Sequence, residues 1–152
     1  MLKTLTNLIL SVFLVTFLVV LVSSSSNLIW LSSMNMPVDF VLVTSTFAND
    51  VVGMNFNSQI PLYLLISIPL IFFLYATKII SKWIFLNPLY LYSFAGAISM
   101  LSLMILLPMA LDNLQPISGS RTNIGKFCMT VCVLFGGYFF GKMQNRGVNS
   151  EN

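Results

Sequence analysis

The sequence contains no histidine. That absence removes the usual ligand of haem b, most zinc and di-iron sites, and every Ser-His or Cys-His catalytic arrangement. Charge is almost as scarce: Lys, Arg, Asp and Glu make up 7% of the 152 residues. Soluble domains carry roughly 25%, because a water-facing surface needs them. The lone glutamate is Glu151, and the aspartates are Asp39, Asp50 and Asp112. Together with two cysteines they make no recognisable closed metal site, so neither a metal nor a cofactor is expected. Cys128 and Cys132 stand four apart in an apolar run. On one helix they share a face but are poorly placed for a disulfide, and they read as small packing residues. The redox compartment is therefore not legible. The basic residues are scattered and form no basic run with interleaved aromatics, so nucleic acid is not an expected partner.

What the chain does have is apolar length, with 57% of residues hydrophobic. Long apolar runs are stable in lipid only where every backbone group bonds internally, which selects helices or closed barrels. Barrel strands alternate apolar and polar residues. These runs are continuous, so the expected fold class is all-α: a polytopic membrane protein, a single bundle of about four transmembrane helices. The expected spans cover about 4–30, 60–77, 89–111 and 123–141, with an outer loop at 31–59 and a short cytoplasmic tail at 142–152.

Local signals place these boundaries. Leu8 to Val22 is apolar and is followed by Ser23-Ser24-Ser25-Ser26. Residues 1 to about 26 also fit a cleaved signal peptide, although the apolar core is at the long end for one. The 31–59 stretch carries Asp39, Asp50 and no basic residue. Its Phe40-Val41-Leu42-Val43 run is too short to span, which suits an interfacial segment or one packed on helix ends. Pro61 suits a first helical turn, and Pro69 should kink the second span. Asn87-Pro88 is a restart signal, a capping residue followed by proline at the first helical position. Lys78, Lys82 and Trp83 describe an interfacial anchor at the end of the second span.

Orientation follows from Lys and Arg beside the span ends. Lys3, Lys78, Lys82, Lys142 and Arg146 fall on one side, Arg121 and Lys126 on the other. The expectation is that both termini are cytoplasmic and the 31–59 loop is outside.

Asp112 should end the third span, where a carboxylate meets the negative end of the helix dipole. Arg121 and Lys126, across a short hairpin, are its candidate partners in an outer ion pair. Small residues mark candidate packing faces: Ser93 with Ala97, Ala95 with Ser99, Gly137 with Gly141, and the Cys128, Cys132, Gly136 stripe. The nine methionines are spread along the chain, which favours gap-filling over soft-metal handling.

Three functions fit these features. A non-catalytic structural or accessory component acting through helix packing, with a membrane-protein partner or a second copy, needs nothing that is missing. A small oligomeric channel or transporter would rely on Ser67, Ser99, Ser102, Thr130 and the Pro69 kink, because pathways need polar groups at mid-membrane. An intramembrane hydrolase would need two of the aspartates to converge. In size and four-span plan the chain is similar to lipoprotein signal peptidase. However, Asn49-Asp50 and Asp112-Asn113 do not reproduce that family's Asn-rich pattern around each catalytic aspartate. The expectation is therefore that the chain is not an enzyme.

Tyr92-x-x-Ala95-Gly96-Ala97, Gly119-x-Arg121 and Gly136-Gly137 resemble uncharacterised proteobacterial four-span inner-membrane proteins. The resemblance covers about the last 60 residues. It implies a bacterial inner (plasma) membrane and brings no activity with it.

Overall fold

The structure is a computed structural model and describes residues 2–57, 60–83, 87–110 and 117–149; the side chains of residues 2, 110, 118 and 146–149 are not described. It is all-α. The helices are α1 (Leu2–Ser33), α2 (Phe40–Val52), α3 (Leu62–Ile80), α4 (Pro88–Ala110) and α5 (Asn123–Asn149). A π-helical turn, Gly53–Asn57, prolongs α2, and a 3-10 turn, Ser118–Arg121, precedes α5. Four helices are long and apolar enough to cross a membrane: Lys3–Ser33, Leu62–Ile80, Pro88–Met109 and Asn123–Asn145. The chain is a membrane protein built as a four-helix bundle with one additional short helix.

Helix ends follow the local chemistry. α1 stops where Asn35 adopts a left-handed φ of 56°, a conformation asparagine tolerates better than most residues. The Met36 N–H then bonds the Leu31 carbonyl at 3.3 Å and the Asn35 N–H bonds the Ser32 carbonyl at 3.1 Å. These two bonds satisfy carbonyls that a helix end would otherwise leave open. α4 opens at Pro88, with the Asn87 Oδ1 accepting from the Leu89 N–H at 3.1 Å. α5 opens with the Thr122 Oγ1 accepting from the Gly125 N–H at 3.0 Å.

The closest packing joins α4 and α5, which run antiparallel. A Cβ at Gly96 would meet the Val133 carbonyl, and one at Gly137 would meet the Tyr92 carbonyl and lie 3.2 Å from Ser93 Cα. One at Gly141 would lie 3.2 Å from Tyr92 Cβ and 3.4 Å from Leu89 Cα. Only residues without a Cβ allow two helix backbones to approach this closely. α1 lies on α5 where Val15 fills the space over Gly136. Val15, Val19, Ile66, Leu70, Met100, Met129 and Val133 form the core.

The bundle therefore has two chemically distinct ends. One gathers the start of α1, the end of α3, the start of α4 and the end of α5, with Lys3, Lys78, Lys82 and Lys142; we call it the lysine end. The opposite, serine end holds Ser23–Ser26, α2 and the Ser118–Arg121 turn, where Gly119 sits against Ser23.

The 31–59 stretch, expected as a polar loop, contains α2 and its π-helical extension. Phe40–Val43 forms the first turn of that helix. The helix is stabilised from outside its own sequence: Phe47 packs edge-on against Phe17 of α1, centroids 5.6 Å apart at 88°.

Candidate functional site

The most built-up polar arrangement lies at the serine end, where α2 meets α1. Along α1 several hydroxyls fold back on their own helix: Thr16 Oγ1 donates to the Val12 carbonyl and Ser25 Oγ to the Leu21 carbonyl, each at 2.8 Å. Ser24 differs. Its hydroxyl, buried at the α1 surface, donates across to Asp50 Oδ2 at 2.7 Å. Asp50 stands in the last turn of α2, where the negative end of the dipole disfavours a carboxylate unless donors are supplied. A hydroxyl donated to an ionised acceptor is among the stronger protein hydrogen bonds. The Ser24–Asp50 bond is therefore both a tether for α2 and compensation for that charge.

Below this bond the chain continues along α1. A cavity of about 310 Å³ is walled by Val12, Phe13 and Thr16 of α1 and by Val51, Asn55 and Phe56. Asn55 Nδ2 donates to the Val51 carbonyl at 2.9 Å, and its Oδ1 is buried with no hydrogen-bond partner among the described residues. Thr16, in the same cavity wall, precedes Ser24 by about 12 Å along α1. The π-helical turn that carries Asn55 is a geometry often associated with functional positions. Ser11 Oγ is likewise buried without a partner among the described residues.

The residues singled out from sequence distribute as follows. Ser93 is buried and meets Gly137, and Gly141 meets Tyr92 and Leu89. Ala97 is half-buried, because the stripe facing α5 runs through Ser93 and Gly96 rather than Ser93 and Ala97. Lys78, Lys82 and Trp83 are all exposed at the end of α3. Arg121 is exposed in the 3-10 turn and Lys126 is half-buried in the first turn of α5. Asp112, their expected partner, lies outside the described residues, as does the side chain of Arg146.

Two features go beyond the sequence expectations: Gly96 is a contact point with α5, and the Ser24–Asp50 bond joins residues 26 apart, a pairing without a local signature. No group of three or more His, Cys, Asp or Glu able to hold a metal occurs among the described residues. Compared with protein-family models, curated proteins and solved structures, the chain finds no match in any of the three.

Proposed function

We propose that the chain is a non-catalytic structural or accessory membrane component that acts through helix packing. Its seat is a bacterial inner membrane, with the lysine end and both termini cytoplasmic. The observation that carries this reading is α2. No α2 residue is buried, and Phe40 and Val41 are 81% and 75% exposed. The helix is formed and tethered through Phe47 and Asp50, which leaves the apolar side that carries Phe40 and Val41 for something beyond the chain: a membrane-protein partner or a second copy.

Two further observations support packing over the alternatives. The buried hydroxyls of Ser11, Thr16 and Ser23 on α1 are interrupted by Val15 and Val19, both fully buried. They form no continuous polar line of the kind a solute pathway uses. The Ser24–Asp50 pair has a nucleophile and a carboxylate, but a sequence without histidine lacks the usual base that activates serine. The concentration of lysines at one end supports the cytoplasmic assignment of that end.

The test is a photo-crosslinking residue at Phe40 or Val41 in the tagged chain, followed by gentle solubilisation. A discrete protein adduct, with the same species co-purifying, is the expected outcome. A strictly monomeric chain cross-linked to no protein contradicts the reading.

A further inference from the structure

A second cavity, of about 470 Å³, opens between α1 and α3 at the lysine end. It is graded from polar to apolar. Lys78, Thr4 and Gln144 stand toward the end of the bundle, while Leu8 and Leu74 line it further in. Its back wall is the edge-to-face pair of Tyr92 and Phe140, centroids 5.3 Å apart. Thr4 and Gln144 are within reach of each other, Nε2 to Oγ1 at 3.4 Å, which brings the end of α5 to the start of α1 beside the opening.

Among the described residues the surrounding charge has one sign. Lys3, Lys78, Lys82 and Lys142 belong to this end, whereas the described carboxylates, Asp39 and Asp50, belong to α2 and its approach at the other. A lateral cavity with apolar walls in the bilayer is matched to an acyl chain, and a lysine at its mouth is matched to a phosphate. Basic pockets between transmembrane helices are known to take anionic headgroups. We propose that this cavity seats one anionic phospholipid of the adjacent leaflet. The acyl chain lies against Leu8, Leu74 and the Tyr92–Phe140 pair, and the phosphate bonds Lys78, with Thr4 and Gln144 as neutral neighbours. The occupant is a lipid rather than free phosphate because the cavity walls are mainly apolar.

The test uses the purified full chain in mild detergent, with thermal unfolding followed as phosphatidylglycerol, phosphatidylcholine or inorganic phosphate is added. Phosphatidylglycerol should raise the melting temperature saturably and more than phosphatidylcholine, and inorganic phosphate should have little effect. Lys78→Ala should raise the half-saturating phosphatidylglycerol concentration about fivefold, the equivalent of about 1 kcal/mol per surface lysine. Lys82→Ala, in an exposed position that does not line the cavity, should change it less than twofold. Both replace exposed side chains, so folding is retained in either case. Equal losses in the two variants, no preference for phosphatidylglycerol, or full stabilisation by inorganic phosphate alone would each overturn the proposal.

Discussion

Ser24 and Asp50, 26 residues apart, are joined by a 2.7 Å hydrogen bond that fastens α2 to α1. Removing the donor leaves the carboxylate short of a partner in a half-buried position, a loss of about 1–3 kcal/mol. Ser24→Ala should therefore loosen α2 while leaving the four long helices intact. Limited proteolysis of the detergent-solubilised protein reads this as faster cleavage between residues 34 and 57. Asp50→Asn removes the charge but keeps an acceptor, so its cleavage rate should fall between wild type and Ser24→Ala. Equal protection in all three proteins would show that α2 is held by other contacts.

The α4–α5 contact makes a sharper prediction. A Cβ at Gly137 runs into the Tyr92 carbonyl, and one at Gly96 into the Val133 carbonyl. The obstacle is backbone in both cases, which has little room to yield. Gly137→Ala and Gly96→Ala should each destabilise by about 1–3 kcal/mol, the range for overpacking a close-packed interior. Gly53→Ala is the matched control. A Cβ there meets nothing within 4 Å and the backbone φ is −62°, so alanine should be neutral or stabilising by about 0.4–1 kcal/mol. Thermal unfolding of the three variants in one detergent checks the ordering.

The four long helices were legible because each is a continuous apolar run, and their ends were legible where the chemistry is local, as at Asn87-Pro88. α2 was harder to see. Its Thr44-Ser45-Thr46 and Asn49-Asp50 are modest helix formers, and a polar stretch without a long apolar run reads as a connector. A signal was nonetheless present: Val43, Phe47, Val51 and Met54 recur at helical spacing and are the large apolar residues among the half-buried positions. The same difference in scale explains the packing face. Ser93 with Ala97 satisfies a spacing rule, but helix rotation is set by the neighbour, and α5 meets Ser93 with Gly96 instead. The Ser24–Asp50 bond, made between two separate helices, has no counterpart in local sequence.

The two tryptophans should report opposite ends of the bundle. Trp30 lies near the end of α1 at the serine end and Trp83 follows α3 at the lysine end; both are mostly exposed. Indole rings prefer the membrane–water interface. In single-tryptophan proteins reconstituted with brominated lipids, shallow labels should quench both more strongly than labels near the bilayer centre. Stronger quenching of Trp83 by the deep label would show that the lysine end is buried further than its charges allow.

The proposed cytoplasmic placement of the lysine end is tested directly with membrane-impermeant maleimide on intact cells. Cysteines are introduced singly at Met36, Lys82 and Asn123 in a chain carrying Cys128→Ser and Cys132→Ser. Positions 36 and 123, at the serine end, should label in intact cells, and position 82 only after permeabilisation. Labelling of positions 36 and 82 from the same side of the membrane would contradict it.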